Sequence, residues 1–174
     1  MLARRLAAAK KPFAVSNQGI AGNRLLGDGA GVSALARFDR DVLLQTGAGY
    51  VVILEGINDI GVARNNPIPT AQDLIGAHKQ MIERAHAQGL KIVGATLTPF
   101  DGVAYFTPEG EAKRLALNEF IRNGGMYDGC RLRQGDTRSR GAVQVQPDVR
   151  LRRPPAPERR RLQGDGRDGG LERV

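Results

Sequence analysis

The sequence is poor in the residues that cross-link a chain or anchor it in a membrane. Its 174 residues include a single cysteine, Cys130, which excludes an internal disulfide framework and a cysteine-based zinc cage. No apolar run approaches the ~20 residues of a membrane-spanning helix, so we expect no span. The start, Met1 to Lys11, lacks the apolar stretch of roughly 7–15 residues that a signal peptide needs. We expect no signal peptide there, and the cellular compartment stays open.

Acidic residues are scarce only towards the C-terminal end. Residues 1–130 carry 14 basic and 12 acidic side chains, whereas residues 131–174 carry 12 basic and 6 acidic ones. The second stretch also has no lysine, no aromatic residue and four of the nine prolines. We therefore predict a folded domain over residues 1–129 and a basic Arg/Pro/Gly-rich tail over residues 130–174. We expect this tail to be disordered.

Three short apolar runs predict β-strands. Tyr50–Leu54 is continuous and rich in β-branched residues, which is typical of a strand buried on both faces. Leu90–Thr96 has the same character, and Phe13–Ser16 is a shorter run of this kind. Two of the runs are followed directly by polar, turn-rich segments, Asn17–Arg24 and Glu55–Asp59.

Helical segments alternate with these strands and have recognisable ends. Thr70, with Asp73 three residues on, predicts a box-like cap, and Gly89 predicts the end of the same helix. Thr107 followed by Pro108 predicts the start of a second helix. The alternation predicts an α/β fold with a parallel sheet and helices on both faces. The first of these helices has one predicted buried face: Leu74, His78, Met81 and Ala85.

The segments Asn17–Arg24 and Glu55–Asp59 are the candidates for a functional site. Both are expected at the carboxyl ends of strands, where open parallel sheets bind ligands. The first offers backbone N–H groups at glycines and the second offers an asparagine amide, which are donors of the kind that hold an oxyanion during acyl transfer. The alternative is structural: the glycines turn the chain and the asparagine caps the next segment.

The full strings resemble one family of ester hydrolases. Asn17-Gln-Gly-Ile-Ala-Gly-Asn-Arg-Leu-Leu26, followed by Glu55-Gly-Ile-Asn-Asp-Ile-Gly61, is similar to two sequence blocks of the SGNH hydrolases, also called GDSL-type lipases or esterases. The resemblance covers roughly residues 1–129. It implies that Gly22 and Asn58 are oxyanion-hole residues. It also implies a three-layer, flavodoxin-like fold with strand order 2-1-3-4-5, of which the central first strand is lacking here.

The sequence departs from this family at the nucleophile and the base. The family uses a serine in a Gly-Asp-Ser block and a histidine in an Asp-x-x-His block near the C-terminus, and neither block occurs here. The three serines do not match: Ser16 ends a predicted strand, Ser33 is a predicted helix cap, and Ser139 is in the tail. The two histidines, His78 and His86, are predicted to be packed or surface residues of a helix. We therefore expect this chain to be close to inert.

A shift of reading frame offers an explanation for the tail. If a one-base shift occurred near Gly129–Cys130, the overlapping codons could spell the missing Asp-x-x-His block, with its Asp in the overlap from Arg153 and its His in that from Ala156. Met1 falls in what resembles the helix after the family's first strand, so we expect a truncated start as well. An unpaired sheet edge and exposed apolar faces then predict poor solubility.

The chemistry of ligands and partners follows from these readings. The resemblance implies an ester substrate, with acetylated sugars, short acyl esters and lipids all open, and no cofactor or metal. The alternative function is binding of nucleic acid or another polyanion through Arg150–Arg153 and Arg159–Arg161. Because no aromatic residue interleaves these arginines, we expect only weak, salt-sensitive, nonspecific binding. A faint Gly-x-Gly-x-x-Ala pattern, Gly29–Ala34, does not directly follow a strand, so we discount a nucleotide site.

Overall fold

A computed structural model describes residues 2–61 and 68–131 of the chain. Strands and helices alternate over most of this length, as the apolar and capping patterns predict. The elements are, in chain order, α1 (Leu2–Ala8), α2 (Ala34–Phe38) with a π-helical turn (Asp39–Leu43), β1 (Tyr50–Ile53), α3 (Ile57–Gly61), α4 (Ala71–Ala87), β2 (Lys91–Ala95), α5 (Pro108–Asn123) and β3 (Gly129–Arg131).

The three strands form one parallel sheet with β2 in the middle. Tyr50 is aligned with Lys91 and Ile53 with Gly94, so the carboxyl ends of β1 and β2 meet at the same edge. On the other side of β2, Val93 is aligned with Gly129. This confirms the predicted α/β class with a parallel sheet. β3 includes Cys130, the first residue of the predicted tail, and residues 132–174 lie outside the described part.

The ends of the two long helices confirm the capping signals in the sequence. The Thr70 side chain accepts a hydrogen bond from the Asp73 N–H, and the Asp73 carboxylate accepts one from the Thr70 N–H. Thr107 caps α5 by accepting from the Gly110 N–H at 2.9 Å. Gly89, which follows the last turn of α4, has φ +70°, a conformation that favours glycine.

Helices α4 and α5 pack side by side on one face of the sheet. Lys79 of α4 lies over the ring of Phe120 of α5, with its Nζ 5.9 Å from the ring centroid. Gly94 lets α5 approach closely, because a Cβ there would be 2.8 Å from Ile121 and 2.9 Å from Tyr127. The core between sheet and helices includes Val51, Ile53, Leu74, Met81, Ile82, Ile92, Leu117 and Ile121.

The prediction that β1 is buried on both faces of the sheet is wrong. We expected the first of the three strands, β1, to be buried on both faces, but Val52 is 55% exposed while Val51 and Ile53 are buried. The reason is that α4 and α5 occupy the opposite face, so the side chains of β1 alternate between core and surface. No helix in the described ranges is long and apolar enough to cross a membrane.

The run Phe13–Ser16 was predicted as a strand, and this prediction is wrong. Residues 11–20 have no regular secondary structure, and Phe13 and Val15 are 39% and 43% exposed. A four-residue run needs a neighbouring strand to pair with its N–H and C=O groups, and in the described residues it has none. Phe13 instead packs edge-on against Tyr50, with the ring centroids 5.7 Å apart.

Candidate active site

The carboxyl end of β1 leads into the segment that carries Asn58. Gly56 makes the turn with φ +114°, and a Cβ on it would lie 3.0 Å from the Leu117 side chain, so only glycine fits without strain. We expected Glu55–Asp59 to be a turn-rich tip, but the short helix α3 begins at Ile57. This helix places Asn58 and Asp59 towards the loop that precedes α2.

The side chain of Asn58 is hydrogen-bonded to the loop before α2 that carries Gly22 (residues 17–33, the Gly22 loop). Its Nδ2 donates a hydrogen bond to the backbone carbonyl of Asn23 at 2.8 Å. The amide therefore does not act as a helix cap, which was the structural alternative. Since an asparagine amide carries two N–H donors, this bond leaves the second one available for another acceptor.

Asp59 ties the same loop to α3 from the other side. The residue is 1% exposed, and its carboxylate accepts hydrogen bonds from the backbone N–H groups of Leu25 at 2.7 Å and Leu26 at 3.0 Å. Burial raises the pKa of Asp59, and these backbone bonds oppose that shift. The loop and α3 are thus joined by three hydrogen bonds, two of them to one buried carboxylate.

Gly22 combines a turn with an unpaired donor. Its φ is +77°, and an added Cβ would lie 3.3 Å from the Cβ of Ala30. The residue does turn the chain, as the structural alternative proposed. In the part of the chain that the structure describes, however, its backbone N–H makes no hydrogen bond. The backbone N–H of Gly22 and the second N–H of the Asn58 amide are therefore both available to another acceptor.

A buried arginine of α2 donates hydrogen bonds to the Gly22 loop. Arg37 of α2 is 6% exposed, and its Nε and Nη2 donate to Asn23 Oδ1 at 3.0 and 2.8 Å. Its Nη1 donates to the Gln18 carbonyl at 2.7 Å and to Asp41 at 3.1 Å. This charge is therefore fully surrounded by acceptors, as burial of a guanidinium requires.

Glu55, at the end of β1, is a second ionisable group near this arginine. Its Oε1 lies 3.9 Å from Arg37 Nη2, and its side chain is 18% exposed. Burial raises the pKa of Glu55 to about 7; the charge of Arg37 lowers it and the charge of Asp59 raises it further. A carboxyl group that titrates near neutral pH thus lies beside the Asn58 segment.

The described serines and histidines do not form a nucleophile–base pair. Ser16 Oγ accepts a hydrogen bond from the Gln18 side chain at 2.9 Å, and Ser33 Oγ accepts from the Ala36 N–H as the predicted N-cap. His86 contacts Asp128 at the surface, 2.9 Å away. Ser139 lies outside the described residues. Within residues 2–61 and 68–131, no serine is hydrogen-bonded to a histidine.

His78 is a packed core residue, as predicted. It is fully buried, its Nδ1 contacts the Tyr127 hydroxyl, and its Nε2 has no hydrogen-bond partner in the described part of the chain. Burial lowers the pKa of His78 to about 4, and the Glu55 backbone carbonyl raises this pKa by a smaller amount. It is therefore neutral at physiological pH. The described residues contain no group of three or more His, Cys, Asp or Glu side chains that could hold a metal.

Sequence reasoning named Gly22 and Asn58 as candidates and did not single out Arg37, Asp59 or Glu55. One signal for Arg37 was available: it lies between Ala34 and Phe38 on the apolar face of a short helix, where a charge needs buried partners. The role of Asp59 depends on backbone N–H groups more than 30 positions away, and nothing in a sequence pattern specifies these.

The parallel sheet and the donors at its carboxyl edge define an α/β protein with a candidate anion-binding site. The chain matches the GDSL-like Lipase/Acylhydrolase family over residues 1–160, and it belongs to this hydrolase family. The match extends beyond residue 129, where the resemblance in the motifs ended. No curated protein matches the chain significantly.

Proposed function

We propose that Gly22 and Asn58 form the oxyanion-binding half of an ester hydrolase site. The observation that carries the proposal is the hydrogen bond from the Asn58 amide to the Asn23 carbonyl, one residue from the unpaired Gly22 N–H. In the proposed arrangement the Gly22 N–H and the second Asn58 N–H both donate to the oxygen of an ester carbonyl. Loss of one such donor typically costs ~10²–10³ in rate in a complete site.

The proposed donors are tested by their affinity for a tetrahedral anion. Methylphosphonate is titrated into the full chain, and the backbone amide signal of Gly22 and the side-chain amide signals of Asn58 are followed by NMR. We expect both sets to shift together and the shift to be lost in Asn58→Ala. Asn123→Ala is the matched control, because its exposed amide bonds only Glu119 at the end of α5. Equal binding by Asn58→Ala would contradict the proposal.

We also propose that this chain by itself does not turn over esters. The family resemblance assigns the nucleophile to a Gly-Asp-Ser block and the base to an Asp-x-x-His block, and neither is present. Ser16 and Ser33 are engaged in local hydrogen bonds, and His78 is buried and hydrogen-bonded to neither of them. The assay is hydrolysis of p-nitrophenyl acetate by the purified chain. Turnover that is abolished in Asn58→Ala would contradict this proposal.

The origin of the tail is a separate proposal. We infer that residues 1–129 form a partial hydrolase domain and that residues 130–174 arise from a one-base shift near Gly129–Cys130. The nucleotide sequence tests this directly, because the shifted frame has to encode Asp at the overlap from Arg153 and His at that from Ala156. Sequence upstream of Met1 tests the expected Gly-Asp-Ser block. Codons that cannot spell Asp-x-x-His leave the tail as a genuine part of the protein.

If the codons cannot spell Asp-x-x-His, we propose that the tail binds a polyanion. The supporting observation is its 12 arginines against 6 acidic residues. Binding to a short DNA duplex is measured as salt is raised. We expect weak binding that is lost at about 0.2 M salt, since the contacts are to phosphates only. High-affinity binding that survives this salt concentration would favour nucleic-acid recognition over ester hydrolysis.

A further inference from the structure

Asn23 is the residue through which both proposed donors are fixed. Its backbone nitrogen is joined to Gly22, and its carbonyl accepts the hydrogen bond from Asn58. Its side chain is fully buried, with Nδ2 donating to the Val32 carbonyl at 2.9 Å and Oδ1 accepting from Arg37. A displacement of Asn23 therefore displaces the Gly22 N–H and the Asn58 amide together.

Arg37 is the group that holds Asn23 in this place. Two of its nitrogens converge on Asn23 Oδ1, and a third binds the carbonyl of Gln18 at the other end of the loop. Asp41, one turn further along the chain, fixes the guanidinium in turn at 3.1 Å. A planar fork with several donors can make these bonds simultaneously, whereas a lysine ammonium presents a single charged point.

We propose that Arg37 is a positioning residue for the oxyanion donors: it sets the distance between the Gly22 N–H and the Asn58 amide by clamping both ends of the loop between Gln18 and Asn23. The proposal rests on the proposed function of Gly22 and Asn58. It assigns to α2 a role in anion affinity, in addition to its packing against α4. Arg37 itself does not touch the anion, because its donors are used by Asn23, Gln18 and Asp41.

A second buried arginine provides a matched control. Arg114 of α5 is 3% exposed, donates to the Leu97 carbonyl at 2.8 Å and pairs with Glu111 through two hydrogen bonds. It holds the segment after β2 rather than the Gly22 loop. Its removal therefore also takes a buried guanidinium out of the fold, while the hydrogen bonds of Asn23 with Arg37 and Asn58 are kept.

The test compares Arg37→Lys, Arg37→Met and Arg114→Met in the full chain. Methylphosphonate affinity and the amide signals of Gly22 and Asn58 are measured by NMR, and each variant is first checked for a folded spectrum. We expect Arg37→Met to weaken binding about tenfold, the equivalent of one hydrogen bond of about 1.4 kcal/mol. Arg37→Lys, which keeps the charge and serves if Arg37→Met does not fold, is expected to shift the same amide signals and weaken binding by a smaller factor. Arg114→Met is expected to leave both readouts unchanged.

The outcomes separate this proposal from the one on which it rests. If Arg37→Lys keeps the wild-type amide signals and affinity, or if Arg114→Met moves them as much as Arg37→Met, the positioning role is overturned. If the wild-type chain does not bind methylphosphonate at all, the oxyanion proposal fails. The amide signals of Gly22 and Asn58 in the unliganded variants then still decide whether Arg37 sets their position.

Discussion

Replacing Glu55 by glutamine is expected to stabilise the protein at neutral pH and to leave it unchanged in acid. The pKa of Glu55 is raised to about 7 from an ordinary value of 4.5, mainly by burial. The folded state therefore holds the proton more tightly than the unfolded state. The contribution of Glu55 to stability is complete below pH 4.5 and is lost as the pH rises to about 7.

The size of the effect follows from the two pKa values. Their difference corresponds to about 3 kcal/mol at about 1.4 kcal/mol per pKa unit, and the partial exposure of the carboxylate reduces this to about 2 kcal/mol. Glu55→Gln should therefore raise the free energy of unfolding by about 2 kcal/mol at pH 7.5 and by nearly zero at pH 4. The pKa of about 7 already includes the attraction between Glu55 and Arg37, which are 3.9 Å apart, and this attraction lowers the pKa.

His78 produces the opposite dependence over nearly the same range. Its pKa is lowered to about 4 from 6.5 by burial, so stability from the neutral imidazole is present above pH 6.5 and is lost as the pH falls to 4. This loss is worth about 3 kcal/mol. Because Glu55 gains about 2 kcal/mol in the same interval, the wild-type chain should lose only about 1 kcal/mol, whereas Glu55→Gln should lose about 3 kcal/mol.

The assay is urea unfolding of wild type and Glu55→Gln at pH 7.5 and pH 4, followed by circular dichroism. The slope against urea has to stay the same, so that a change of midpoint reports stability alone. Glu83→Gln on the exposed side of α4 is the matched control, because it removes the same charge from the surface. If Glu55→Gln is less stable than wild type at pH 7.5, attraction by Arg37 outweighs burial and the reasoning is refuted.

Three further changes test the packing and capping, each by urea unfolding at pH 7.5. Leu117→Ala should lose about 2–5 kcal/mol, because the side chain is fully buried and supports Gly56; a loss under about 1 kcal/mol would mean that the core is not packed as described. Gly61→Ala should lose about 1–3 kcal/mol, since its Cβ would overlap the Tyr105 ring, and Gly76→Ala, with open space, serves as its control. Thr70→Ala should cost about 1 kcal/mol through loss of the capping box, and an unchanged midpoint would argue against the cap.

The sequence predicted those elements whose signals are local. The capping residues Thr70 and Thr107 act on N–H groups three positions away, so their roles can be read without knowing the fold. The strands β1 and β2 were predicted because both runs contain apolar, β-branched residues, which favour strands. The error at Phe13–Ser16 has the same cause, since the same composition without a pairing partner does not make a strand.

The candidate site divides in a similar way. Gly22 and Asn58 were named from the motif strings, but their placement depends on contacts that no local pattern specifies. Arg37 binds Asn23 fourteen positions away, and Asp59 binds backbone groups that any sequence would offer. The exposed face at Val52 was missed because composition reports how apolar a strand is, and only the layout of the helices decides which side they cover.

The bonds that join the Gly22 loop to Arg37, Asn58 and Asp59 lie within one continuous stretch, residues 18–59. The longest of them joins Asn58 to Asn23 across 35 positions, and the others join closer residues. Closing a loop of this length costs only slightly more conformational entropy than closing one half as long, because the cost grows with the logarithm of the loop length. Every group that makes these bonds therefore lies within one segment of the chain, and a fragment that contains residues 18–59 carries all of them.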